Sequence, residues 1–199
     1  MDKKIYSVLN EKSIRELLKE QTKDYHNSVE NLNYLSKDSI SKIDYINFLK
    51  IFYRVIDPIE QLYIIKFKSE IDNYFQPSFK TDLILSDLKN LAVDLKQIKK
   101  TEFLPKIESK YEMVGVLYVL EGSVLGSAML YNKLIALFGE EFRDKLNYLY
   151  GYGKDNFVKW KQFLKFLDEF KIIDDSSKLE LIEAAKNMFN CFANEFRVS

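Results

Sequence analysis

Few residues in this 199-residue sequence have types and spacing that suggest chemistry: one histidine, His26, and three glycines, Gly115, Gly122 and Gly126, within one apolar run. A lone imidazole is a weak basis for a protein-only metal site, because such sites draw several ligands from His, Cys or carboxylates. The single cysteine, Cys191, likewise excludes an intramolecular disulfide and any multi-cysteine metal site. A cofactor that brings its own equatorial ligands asks for less. Haem supplies four nitrogens and needs one or two axial donors, commonly one histidine.

On a helix, Tyr25, Val29 and Leu32 share an apolar face with Ile14 and Leu18, and His26 lies at its border. Lys19 falls almost beneath His26 two turns back, and Lys23 lies further toward solvent. These ammonium groups could pair with the anionic edge of a ligand held by the imidazole. A histidine at a helix border also has a plain reading, as a half-buried surface residue.

Gly115, Gly122 and Gly126 project to within about 20° of a common line on a helix. Each interior glycine costs a helix roughly 1 kcal/mol relative to alanine, so three on one side need a reason. Either another helix packs closely into the bare groove, or a flat ligand approaches the backbone.

The elements that must position these residues read as helices. Ser13 and Glu16 form a capping-box pattern ahead of the first helix. "YLSKDSISK" breaks the pattern, and Ser41 with Asp44 caps a second helix reaching about Tyr74, which Pro58 should kink or divide. "FQPSF" is a loop, and "TDLILSDLKNLAVDLKQI" carries leucines at helical spacing. Pro105 precedes the glycine-bearing helix, which Gly139 should end. "YLYGYGKDN" reads as a loop and "NFVKWKQFLKFLDEF" as an amphipathic helix. Asp174-Asp175 reads as a solvated loop, and Ser177 with Glu180 caps a last helix to about Phe196. Cys191, Trp160 and the Phe163, Phe166 and Phe170 stripe are expected in the core. The expected fold is all-α, one domain over residues 1–199 with about seven helices and a core from about 12 to 196.

Thirty acidic and thirty basic side chains cancel, which argues against a nucleic-acid or membrane-surface partner. The N-terminal stretch to His26 lacks the apolar core of a signal peptide. No apolar run approaches the eighteen or so residues of a bilayer span, so a cytoplasmic protein is expected.

Two segments together resemble one family. "LLKEQTKDYH", Leu17 to His26, is similar to the proximal-helix motif of haem oxygenases, with Leu18, Lys19, Glu20, Thr22, Lys23 and His26 matching. "LYVLEGSVLGSAM", Leu117 to Met129, resembles the distal helix of the bacterial branch, including enzymes encoded beside bacteriophytochromes. The order of elements is also similar, including Tyr152-Gly153 before the helix bearing Trp160. Ser127 departs from the second glycine many members carry, and Ser123 stands where the animal-type enzymes have aspartate.

The resemblance implies haem b as substrate and cofactor, with His26 as the axial iron ligand and Gly122, Ser123 and Gly126 lining the distal side. Lys19 and Lys23 would attract the propionates, joined by one of Lys159, Lys161 and Lys165. The implied reaction uses O2 and electrons to open haem to biliverdin, carbon monoxide and ferrous iron. It needs an external donor such as ferredoxin or a flavin reductase, and it is compatible with a homodimer. Two other readings stay open: a haem-binding, transfer or sensor protein without turnover, and a helical protein of the same fold that binds no haem.

Overall fold

Ser13 opens the first helix as its spacing predicts: its hydroxyl accepts from the Glu16 amide while the Glu16 carboxylate accepts from the Ser13 amide at 2.9 Å. Ser41 and Asp44 repeat this capping box one helix later. In the computed structural model, which describes residues 12–199, these caps begin two of eight α-helices, and no strand occurs among the described residues. The helices are α1 (Ile14–Leu32), α2 (Lys42–Leu62), α3 (Lys68–Ile71), α4 (Thr81–Asn90), α5 (Lys110–Phe138), α6 (Asn147–Tyr150), α7 (Asn156–Glu169) and α8 (Asp175–Val198). The all-α expectation holds. The first eleven residues of the expected signal-free N-terminus lie outside the described residues.

Several boundaries differ from expectation. Pro58 sits inside α2 without dividing it, and the helical run widens to a π-turn at Tyr63–Phe67 before passing directly into α3. The leucine-bearing segment leaves α4 at Asn90, because Ala92 turns to φ 56°. Gly139 ends α5 as predicted, at φ 89°. The start of α8 is a correction: Asp174, not Ser177, is the cap, accepting from the Ser177 amide at 2.8 Å. Asp174 is exposed ahead of the helix, as expected of that loop, and that amide holds its carboxyl below the usual range. Glu180 is drawn elsewhere, accepting from the Ser109 hydroxyl at 2.8 Å; Ser109 in turn forms a capping box with Glu112 at the head of α5.

α8 is the spine of the molecule. α5 and α1 both pack along it, α7 lies against α5 and α1, and α2 closes the bundle against α4 and α8. Aromatic rings fill the junction of α2 and α8, with Phe48 and Phe52 stacked at 4.2 Å and Phe52 against Phe192 at 4.6 Å. Cys191 is buried there, and burial together with nearby Glu195 pushes its thiol up to about 12, so it is a core residue as expected. Phe163, Phe166 and Phe170 are also buried.

One expectation about membranes is overturned. By length and composition α5 is apolar enough to cross a bilayer. Its apolarity has a structural use, however, since Val114, Val116, Leu117 and Leu120 are buried among its neighbours.

Candidate functional site

α1 and α5 both rest on α8, and a cavity of about 290 Å³ has walls from all three. α1 supplies His26, Val29 and Glu30, and α5 supplies Gly122, Ser123, Leu125 and Gly126. Phe48, Phe52, Phe189 and Phe192 make the lining strongly apolar. No lysine or arginine contributes to it. The size falls at the low end of ligand pockets, roughly 300–1,000 Å³.

The chain thus brings His26 and the glycine segment, about a hundred residues apart in sequence, to the same cavity. The His26 side chain is 53% exposed, with its ring edge-on to Phe189 at 5.6 Å. Its Nδ1 lies 3.7 Å from a carboxylate oxygen of Glu30, one turn on. A carboxylate there can orient the ring, an arrangement common around metal-bound histidines. Glu30 escaped the sequence reading, although its place four residues after the only histidine was a usable signal.

The three glycines do not share one role. A β-carbon on Gly115 would sit 2.1 Å from the Leu181 carbonyl oxygen, so this glycine permits close packing of α5 on α8. On Gly122 it would make ordinary contact with Trp160 at 3.5 Å, and on Gly126 it would meet nothing within 4 Å. Gly126 therefore faces open space, and the expected common glycine face is split between packing and cavity. Gly115→Ala should destabilise the fold by roughly 1–3 kcal/mol through overpacking. Gly126→Leu should leave stability equal or higher, since leucine is the better helix former by about 1 kcal/mol, while blocking the cavity. Thermal unfolding of both variants beside a hemin titration tests this contrast. A greater loss of stability in Gly126→Leu would contradict it.

Polar groups on the α5 side are few and mutually engaged. The Ser123 hydroxyl donates to the Leu120 carbonyl at 2.7 Å, and that of Ser127 donates to the Ser123 carbonyl at 3.0 Å. Ser127 is buried and lines the cavity, with its hydroxyl held by that backbone bond. Tyr148 lines the cavity with its hydroxyl hydrogen-bonded to Ser123. Burial raises Tyr148 far above the usual phenol range despite that bond, so it remains a proton-bearing donor. Sequence reasoning missed Tyr148 because its segment read as loop.

Trp160 is a partial correction. Instead of lying in the core it is only half-buried, standing between the cavity and an open groove that shares Tyr118, Leu125 and Trp160 as walls. Lys19 lines this groove, not the cavity, and Lys23 lines neither. The groove-facing stripe of α7 is Trp160, Leu164 and Asp168. Lys159, Lys161 and Lys165 lie off that stripe: Lys159 over the Tyr152 ring, Lys161 over Phe157, and Lys165 beside Glu169 at 3.7 Å.

Behind the glycine segment lies a buried charge cluster that the sequence reading did not find. The Lys80 ammonium pairs with Glu121 at 2.6 Å, and the Tyr152 hydroxyl donates to the other Glu121 oxygen at 3.1 Å. Glu60 accepts from the backbone amides of Lys80 and Thr81, and burial raises its carboxyl above the usual range. The cluster ties α2, the 75–80 loop, α5 and the turn after α6 together directly beside Gly122.

The donor set suits a ligand that carries its own metal. Among the described residues no group of three or more His, Cys, Asp or Glu is placed to hold an ion unaided. One imidazole at the rim and an open glycine backbone supply what haem would ask of a protein.

Comparison with known proteins points the same way. The Heme oxygenase family model matches residues 12–198. The fold is similar to the haem oxygenase of Neisseria meningitidis, solved with NO and CO bound, at a TM-score of 0.78 and 25% identity, covering 94% of this chain and 91% of that one. It is also similar to the haem oxygenase of Leptospira interrogans, with a TM-score of 0.74, 20% identity, 94% of this chain and 100% of the other covered. No curated protein matches the sequence. The apolar cavity with its rim histidine thus sits in a chain whose match runs nearly end to end: the protein belongs to the haem oxygenase family and is a haem-degrading oxidoreductase.

Proposed function

We propose that this protein binds haem b through His26 and opens it to biliverdin, carbon monoxide and ferrous iron, working as a single domain. The observation that carries this reading is the shared cavity, with the only histidine of the chain and the open backbone of Gly126 lining the same apolar space. When bound, haem supplies both the redox-active iron and the ring that is oxidised, so the chain needs no acid–base dyad of its own. His26 would hold the iron through its Nε2, with the Glu30 carboxylate 3.7 Å from Nδ1 favouring that ring orientation.

The chain's other residues orient the substrate and exclude water. Phe48, Phe52, Phe189 and Phe192 keep the cavity apolar. Gly122 and Gly126 line the cavity and would leave room for a flat ring beside the α5 backbone. Ser123, whose hydroxyl donates to the Leu120 carbonyl, and Tyr148, which burial keeps protonated, are the polar groups beside the glycines on the cavity wall. The electrons come from an external donor, a ferredoxin or flavin reductase, in the cytoplasm.

The test is a hemin titration of the purified protein followed by addition of ascorbate or reduced ferredoxin in air. A stoichiometric Soret band that then decays as biliverdin absorbance rises supports the reading. A band that forms and persists unchanged would overturn turnover, leaving only haem binding.

A further inference from the structure

The cavity lining contains no cation, yet haem carries two carboxylates that are expensive to bury unpaired. They must leave the cavity toward positive charge. The groove that shares Tyr118, Leu125 and Trp160 with the cavity offers it, because Arg15 and Lys19, one turn apart on α1, both line it. Lys23 and the α7 lysines line neither space. What α7 presents to the groove is an acid, Asp168, whose Oδ2 lies 2.6 Å from Arg15 Nη1. Glu16, the other acid of the groove, is committed to capping at Ser13.

We propose that Asp168 is a stand-in for the substrate's carboxylates: entering haem displaces it from Arg15, which then holds a propionate beside Lys19. This rests on the haem reading above. The geometry suits an exchange and not a fixed strut. Both partners are about half exposed, 41% and 44%, and an exposed pair of this kind is held only weakly. The exchange also couples binding to packing, since the bridge joins α1 to α7 along the groove. Arg15 is a positioning residue here, setting the in-plane rotation of the ring from its carboxylate edge.

The experiment titrates the protein with hemin and with hemin dimethyl ester, whose propionates carry no charge. Arg15→Gln should weaken hemin about three- to tenfold, as loss of a partly exposed charge-assisted hydrogen bond predicts, and leave the ester unchanged. Asp168→Asn should tighten hemin by removing the competitor and again leave the ester unchanged. Equal losses for hemin and ester in Arg15→Gln would overturn the proposal, as would weaker hemin binding in Asp168→Asn. Unmutated protein that gives no Soret band with either compound would refute the haem reading itself.

Discussion

Hemin added to the His26→Ala protein should lose its ligated Soret spectrum, with affinity falling more than about a hundredfold, the upper size of effect that changes outside the ligand itself reach at metal sites. His26 is the only histidine, and Cys191 is buried with its thiol held protonated, so no second imidazole or thiolate can substitute. The fold should not suffer. A side chain 53% exposed, whose polar neighbour Glu30 is itself exposed, falls among surface changes that move stability by about ±0.5 kcal/mol. Thermal unfolding of the apoprotein should therefore match that of the parent. Imidazole added to the medium should restore a ligated spectrum by entering the vacated space beside Phe189. A variant that binds hemin with an unchanged spectrum would show that the iron finds its ligand elsewhere.

His26 was legible because its neighbours are local. The spacing of Leu18, Lys19, Lys23 and His26 is a property of one helix, and a helix sets their relative directions before any packing. The same holds for the Ser13–Glu16 and Ser41–Asp44 caps, which close within four residues. Where the outcome depended on a second element, the reading failed. Asp174 and Ser177 are both good cap residues three apart, and the choice turned on Glu180 reaching across to Ser109. The glycine stripe is a helical fact, but what lies above it is not. Leu181 fills the space at Gly115, whereas nothing fills it at Gly126. Likewise helix geometry puts Lys19 nearer His26 and Lys23 further toward solvent, but the groove that Lys19 faces is formed with α7, which the spacing does not reveal.

The buried cluster behind α5 is the extreme case of non-local structure, and Lys80→Ala should show its weight. Removing the ammonium leaves Glu121 buried with no cation and only the Tyr152 hydroxyl as donor. Breaking one side of such a pair costs about 3–5 kcal/mol, a large share of the roughly 5–15 kcal/mol that holds a domain together. Replacing both partners by apolar residues of similar volume, Lys80→Met with Glu121→Leu, should recover most of that loss, because no charge is then stranded. The Glu60 carboxylate keeps its two backbone donors in either case, so the 75–80 loop stays anchored. The pH dependence separates the parent from the double variant. Burial works to lower the Lys80 pKa, but Glu121, Tyr152 and Glu60 outweigh it and raise it above the ordinary value. A raised pKa means that the stabilisation is complete below the unfolded value of about 10.4 and is lost as pH climbs through the folded one. The parent should thus lose stability above that pH through this pair, and the double variant should lack that contribution. Denaturant unfolding across the alkaline range measures both. A Lys80→Ala protein as stable as its parent would mean that solvent reaches Glu121, and the glycine segment beside it would then owe its position to helix packing alone.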